Sequence, residues 1–344
     1  MNNLARTVTP WQLRTRTLEL GARTLVMGVV NITPDSFSDG GVFLDAEAAV
    51  AQGLRMLDEG ADILDLGAES TRPGSRVGGS GGALKTGPST SVAAATFAQD
   101  DRYSVDQATR QGGQSPAVSA EEEQARLMPV MKGILRARPD AIVSVDTFKA
   151  ATAKAALAAG AEIVNDVSGF LWDAGMAVVC AESKAGVVLM HTRGRPEEWR
   201  RQARMEADEL LAAVWAGLAA SLEKAATAGI PPEAIVLDPG YGFGKRFEEN
   251  FFLLARQADL LALGRPLLAG VSRKSFLGRT LAPLHGGIDA PVEARETASV
   301  AALVATILHG ASIVRVHAVR PAVEAARIAD AVLAGGIGFS GDEL

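Results

Sequence analysis

In Gly28-Val29-Val30-Asn31-Ile32-Thr33-Pro34-Asp35-Ser36-Phe37-Ser38-Asp39-Gly40 an apolar run stops at an amide and opens into small hydroxyl and carboxylate side chains. Taken alone, this is as well described by an ordinary strand and turn as by a functional loop. Repetition decides the fold. Apolar runs at 25–31, 63–69, 142–146, 163–167, 187–191, 235–238, 267–271 and 313–317 alternate with amphipathic, Ala-rich stretches. That is the sequence form of βα units around a parallel sheet, and eight such strands close a (β/α)8, or TIM, barrel of the α/β class. Upstream, residues 13–20 followed by Gly21-Ala22 read as a β-hairpin that plugs the bottom of the barrel.

Most of the strands finish in residues unfit for a core: Asn31, Glu69-Ser70-Thr71-Arg72, Asp146, Asn165-Asp166, His191, Asp238, Ser272-Arg273-Lys274 and Arg315-Val316-His317. One polar strand end is an ordinary helix cap. A full set in register converges on the C-terminal mouth of a barrel, where this fold carries its active sites.

With 48% hydrophobic and only 5% aromatic residues in 344, the core is built from Ala, Val, Leu and Ile. The net charge of -6, with acids and bases interspersed, argues against nucleic acid as a partner. Cys180 is the only cysteine, which excludes an intrachain disulfide and a thiolate cluster within one chain. No run approaches the roughly 18 uninterrupted apolar residues of a membrane span, so no membrane partner and a cytoplasmic location are expected. Residues 77–116 are rich in Gly, Ser, Thr, Ala and Gln and have too few bulky apolar side chains to fold alone. They read as a long flexible insertion after the second strand of a single domain spanning 1–344. The chain resumes at Ser119-Ala120-Glu121-Glu122, a capping-box pattern.

Asp146, Asn165 and Asp238, from the third, fourth and sixth strands, form an acceptor set facing one cavity. A buried carboxylate without a partner costs several kcal/mol, so the matching ligand offers N–H groups edge-on, as an amidine or a 2-aminopyrimidinone does. A pterin ring has that edge. Facing them is a cationic set of Arg72, Arg273-Lys274, Arg315 and His317, and bases on the seventh and eighth loops occupy this fold's usual phosphate position. Asn31 with Mg2+ would complete a diphosphate site. His191 reads either as a base or as part of a wall. Gly240-Tyr241-Gly242-Phe243-Gly244-Lys245 is a Gly-rich turn without the hydroxyl residue of a nucleotide-binding loop.

These blocks, in this order, resemble the dihydropteroate synthases: the opening run through Gly40, Glu69-Ser70-Thr71-Arg72-Pro73-Gly74, Ser144-Val145-Asp146-Thr147, Asn165-Asp166-Val167-Ser168-Gly169, Asp238-Pro239-Gly240-Tyr241-Gly242-Phe243-Gly244-Lys245, Ser272-Arg273-Lys274-Ser275 and Arg315-Val316-His317. The resemblance implies condensation of 6-hydroxymethyl-7,8-dihydropterin diphosphate with p-aminobenzoate, giving 7,8-dihydropteroate and diphosphate, with Mg2+ as cofactor and a homodimer as the assembly. It implies that Asp146, Asn165, Asp238 and Lys274 hold the pterin, that Met190 and Phe243 line its slot and that Arg315 stacks beside it. Asn31 (through Mg2+), Arg72, Arg315 and His317 would meet the diphosphate, and Thr71 and Ser275 would lie where p-aminobenzoate enters. Asp146, Lys274, Arg315 and His317 are the expected catalytic residues, in a dissociative reaction where Asp146 stabilises a pterin cation.

The chain departs from the family at Ala318, where an acid usually follows the histidine and would orient it, and at the insertion. An insertion beside Thr71 and Arg72 raises the closure entropy by about 1 kcal/mol, which predicts weaker p-aminobenzoate binding. Two other readings share the barrel. A methyltetrahydrofolate-binding methyltransferase domain would not need the anion-binding set, and a non-catalytic pterin-binding homologue would bind without turnover.

Overall fold

The computed structural model describes residues 6–32, 42–69 and 118–335. Thr33 to Asp39, Thr71, Arg72 and the expected insertion at 77–116 therefore lie outside the described residues. Two short strands, β1 (Thr9–Gln12) and β2 (Thr17–Leu20), pair antiparallel. The remaining strands are β3 (Leu25–Asn31), β4 (Ile63–Gly67), β5 (Val143–Asp146), β6 (Ile163–Asp166), β7 (Gly186–Met190), β8 (Ile235–Asp238), β9 (Leu267–Ala269) and β10 (Ala311–Val316). They close a parallel barrel in the order β10-β3-β4-β5-β6-β7-β8-β9. Each barrel strand leads into a helix: α1 (Val42–Asp58), α2 (Ala120–Ala137), α3 (Ala150–Ala158), α4 (Met176–Glu182), α5 (Ala207–Thr227), α6 (Phe247–Ala255), α7 (Ser275–Thr280) and, after β10, α9 (Val319–Leu333). An additional helix, α8 (Glu296–Leu308), precedes β10.

The expected barrel is present, and strand limits differ from the sequence reading by one or two residues. β4 and β9 stop short, at Gly67 and Ala269, because their last residues have already left the ladder to form the mouth. The hairpin is displaced: its turn is at 13–16, closed by the Leu13 amide donating to the Arg16 carbonyl at 2.8 Å, and not at Gly21-Ala22. It does plug the barrel. Trp11, Leu13 and Leu20 pack with Leu25, Met27, Ile63, Ile163, Val188, Val236, Leu268 and Ile313, and the Trp11 indole donates to the Ala234 carbonyl at 3.0 Å. Each buried Leu, Ile or Val in this floor contributes about 1.5–3 kcal/mol.

The outer layer is formed by the opposite faces of the strands and the inner faces of the helices, a second core rich in Val, Leu, Ala and Ile. By length and composition alone α5 could cross a membrane. Here it is a barrel helix, with Leu210, Val214 and Leu218 buried along one stripe. Ser119 caps α2 by accepting from the Glu122 amide at 3.1 Å, while the Glu122 carboxylate turns to Arg126, so only half of the expected capping box forms.

Beside the undescribed stretch lies a buried ion cluster. Lys149, in the loop between β5 and α3, binds Glu69, just past β4, and Glu123, in α2, at 3.2 Å. Thr152 completes it by donating to Glu123 at 2.7 Å.

Candidate active site

Side chains in a strand alternate between lumen and exterior, so a lumen residue recurs every second position. Two residues after the floor positions Ile63, Ile163, Val188, Val236 and Ile313 stand Asp65, Asn165, Met190, Asp238 and Arg315. The floor is apolar, and one layer higher the lumen becomes polar. Asp146 joins this layer through its register with Gly67 and Asn165.

Arg315 reaches from β10 across the lumen. Its Nε donates to Asp65 Oδ2 and a terminal nitrogen donates to Asp146 Oδ2, both at 2.6 Å. Asp65 Oδ2 also accepts from the Asn165 amide nitrogen at 3.0 Å. The guanidinium thus sits among the acceptors, bridging two of them, and not only on an opposing cationic wall. Burial acts to lower the Arg315 pKa, but the carboxylates of Asp65 and Asp146 more than offset it and hold the group charged. Burial pushes the Asp146 carboxyl up to about 7, with Arg315 opposing and Asp65 reinforcing the shift. Burial likewise raises Asp238, against the Gly240 amide, which donates to its Oδ1 at 2.7 Å, and the Lys274 charge.

Lys274, at the N-cap of α7, places its ammonium 3.9 Å from the centre of the Phe243 ring. Burial and then Arg315 lower its pKa to about 8, while Asp238 and Asp146 act in the other direction. Beside these groups, Met190 packs with Phe148 and Val167, and Trp172 and Phe243 flank them. The carboxylates of Asp65, Asp146 and Asp238 lie close to the cations Arg315 and Lys274, and Lys245 also acts on Asp238. Such a pocket favours a donor-rich ring, and more strongly a ring that becomes cationic.

The turn after β8 is built for shape. Gly240 has φ +72°, and a Cβ there would lie 1.9 Å from the His191 carbonyl oxygen. Lys245 ties the turn from inside by donating to the Gly240 carbonyl at 2.7 Å, and burial lowers its pKa to about 7. This is not a phosphate cradle, as its sequence indicates. His191 is buried, and burial, then Lys245 and Arg193, lower its pKa well below the ordinary value. It forms a neutral wall. Asp166 points away from the lumen and accepts from the Ser168 and Phe170 amides at 2.8 and 2.9 Å, the cap-like role open to any single polar strand end.

On the anion side, His317 is oriented by Ser272. The Ser272 hydroxyl oxygen accepts the His317 backbone N–H at 3.3 Å and lies 3.0 Å from Nδ1. A serine hydroxyl can donate to Nδ1 or accept from Nδ1–H, so the contact positions the imidazole ring without selecting its tautomer. Ser272 therefore supplies the orienting contact expected from an acid at 318, and Ala318 is instead the uncapped N-cap of α9. Arg273 turns aside, in a left-handed conformation (φ +58°), to Glu296 at 3.2 Å. Ser275 is exposed at the first position of α7.

Asn31 is exposed at the end of β3, and among the described residues no group of three His, Cys, Asp or Glu gathers as a cage. One hard amide oxygen fits a Mg2+ ion that keeps its waters and arrives with phosphate oxygens. Of the residues expected from the sequence, Asp146, Asn165, Met190, Asp238, Phe243, Lys274 and Arg315 meet at one mouth with His317 near its rim. Thr71 and Arg72 lie outside the described residues. Sequence reasoning missed Asp65 and Phe148, and it named Ser272 without the contact to His317.

A profile described as pterin binding enzyme matches residues 27–83 and 106–317. The dihydropteroate synthase of Mycobacterium leprae is 40% identical over 311 residues, covering 90% of this chain and 94% of its own. The dihydropteroate synthase of Xanthomonas albilineans, solved with 4-aminobenzoic acid, superposes with a TM-score of 0.74 at 36% identity, covering 95% of this chain and 99% of that one. A structure of the X. albilineans enzyme in complex with 7,8-dihydropteroate gives a TM-score of 0.71 at 34% identity, over 94% and 99% of the two chains.

Proposed function

From the premise that this chain belongs to the pterin binding enzymes and, within them, to the dihydropteroate synthases, and is thus a transferase, we propose the following course for its reaction. The substrates are 6-hydroxymethyl-7,8-dihydropterin diphosphate and p-aminobenzoate. The observation that carries the reading is the lumen cluster, where three carboxylates and an amide surround two cations above an apolar floor.

The ring enters between Met190 and Phe243 and gives its N–H groups to Asp146, Asn165 and Asp238, while Lys274 donates to ring acceptors. His317, with Arg72, binds diphosphate oxygens. Asn31 would hold Mg2+, which neutralises diphosphate charge when bound. The bond between the ring's methylene carbon and the diphosphate oxygen breaks first, and its electron pair leaves with diphosphate. Positive charge then spreads over the pterin, where the carboxylates of Asp146 and Asp238 stabilise it; fixed groups of this kind contribute about 3 kcal/mol each. The p-aminobenzoate nitrogen, entering past Thr71 and Ser275, forms the new C–N bond, and its proton passes to the departed diphosphate or to water. Asp146, Lys274, Arg315 and His317 carry the catalysis, with Arg315 acting on the ring and fixing Asp146.

A cytoplasmic location and a homodimer belong to the same reading. The single cysteine supports the first, and the exposed apolar side chains Leu284, Ile288 and Val292 support the second. Diphosphate release by the purified protein, with and without p-aminobenzoate, alongside mass detection of dihydropteroate, tests the reaction. Product that depends on p-aminobenzoate upholds it. Pterin binding without product favours a non-catalytic homologue.

A further inference from the structure

Asp65 is fully buried in the middle of β4. Its Oδ2 accepts from both Arg315 and Asn165, and its Oδ1 meets no hydrogen-bond partner among the described residues. We propose that Asp65 is a specificity-determining, positioning residue, which fixes the hydrogen-bonding face that Asn165 and Arg315 turn toward a ring in the lumen. The proposal rests on the reading of that lumen as a pterin site.

The reasoning starts from hydrogen inventory. A carboxylate neutralised by a guanidinium has lone pairs and no hydrogen to give, whereas a side-chain amide has two hydrogens on one end and lone pairs on the other. Beside Asp65 the Asn165 amide has one acceptable orientation, with its NH2 toward the carboxylate. Turned over, it would set oxygen against oxygen at about hydrogen-bond distance and strand both. Asn165 therefore presents its carbonyl oxygen, with at most one remaining N–H, to the ligand. The same carboxylate oxygen receives Arg315 Nε, so the plane of the guanidinium and the sense of the amide are set by one atom. Asp146, at the other end of that guanidinium, is held in turn.

The consequence is a code. With Asn165 locked as an acceptor beside the carboxylates, the lumen selects a ring that carries an amino group on this edge over one that carries an oxo group in its place. Asn165 alone has no such preference, because an amide that can rotate satisfies either. Asp65→Asn keeps the volume but gives position 65 a donor as well as an acceptor, and thereby releases Asn165.

The test is calorimetric binding of 6-hydroxymethylpterin and of the corresponding 2-oxo ring, 6-hydroxymethyllumazine, to the full chain and to Asp65→Asn, Asn165→Ala and the double variant. The unaltered protein is expected to prefer the amino ring by about tenfold or more. Asp65→Asn is expected to lose the share of that preference that Asn165 carries, a severalfold drop beyond what Asp146 and Asp238 maintain, and about tenfold in pterin affinity, with non-additivity in the double variant because one residue acts through the other. Preference undiminished in Asp65→Asn overturns the proposal while leaving the pterin site standing. Failure of the unaltered protein to bind pterin overturns both. Binding does not require turnover, so absence of dihydropteroate formation would refute the reaction and leave this test intact. Should Asp65→Asn fail to fold, the side-chain amide protons of Asn165 in the unaltered protein decide by NMR: one proton shifted downfield and protected from exchange upholds the lock, and two rapidly exchanging protons overturn it.

Discussion

Replacing Lys149 by methionine removes one positive charge from between two carboxylates that cannot easily reach water. The Glu69, Glu123 and Lys149 side chains are 5%, 1% and 9% exposed. Methionine fills much of the same space, so the loss is electrostatic, and breaking a buried pair in this way costs about 3–5 kcal/mol. The cost depends on pH with a definite sign. Burial raises the Glu69 pKa, and the Lys149 hydrogen bond is the largest influence acting against that rise. A carboxyl whose folded pKa lies above its unfolded value favours the fold at low pH, and that contribution is lost as pH rises through the folded value. Without Lys149 the folded value rises further, so Lys149→Met should be most destabilised above neutrality. On acidification Glu69 takes up a proton and becomes a neutral buried polar group, whose cost is about 1–3 kcal/mol. Urea unfolding of both proteins at pH 8 and pH 5.5 measures this. A difference under about 1 kcal/mol at pH 8, or equal differences at the two pH values, would refute the account of Lys149 as the counter-charge.

Ala318→Asp should stabilise the protein by about 1 kcal/mol in chemical denaturation, because 318 is an uncapped N-cap with the extended backbone (φ -111°, ψ 104°) that an acidic cap adopts. Its turnover should be unchanged, since Ser272 already orients His317. The Lys274 ammonium, lowered to about 8, should lose its proton as pH rises from 7 to 9. Pterin affinity measured by calorimetry should fall over that range, by up to about tenfold for a charged hydrogen bond, and the fall should be absent in Lys274→Met, which starts weaker.

The architecture was legible because strand length, alternation with helices and polar strand ends all pointed to one answer. Asp146, Asn165, Asp238 and Arg315 were legible because they end apolar runs. Asp65 was not, because it interrupts Ile63-Leu64-Asp65-Leu66 from within; its signal was parity, two residues after a floor position, and that requires knowing which face is the lumen. The hairpin turn was misplaced because 13–16 contains neither Gly nor Pro, whereas Gly21 is required for another reason. Its φ is +99°, and a Cβ there would come within 2.3 Å of the Thr7 carbonyl oxygen. Ser272 was quoted as part of a basic block, and nothing in a linear sequence indicates that its hydroxyl would meet a histidine 45 residues later.

The two-residue step from floor to site has an evolutionary consequence. A strand that slipped by a single residue would exchange both layers at once, exposing Ile63 or Val236 to the helices and carrying Asp65 or Asp238 out of the lumen. A one-residue slip therefore cannot keep the core and lose the chemistry, or do the reverse. Selection that perceives only product therefore also polices the packing of the floor, and the insertions and deletions that lineages can accept are driven out of the strands into the loops above them.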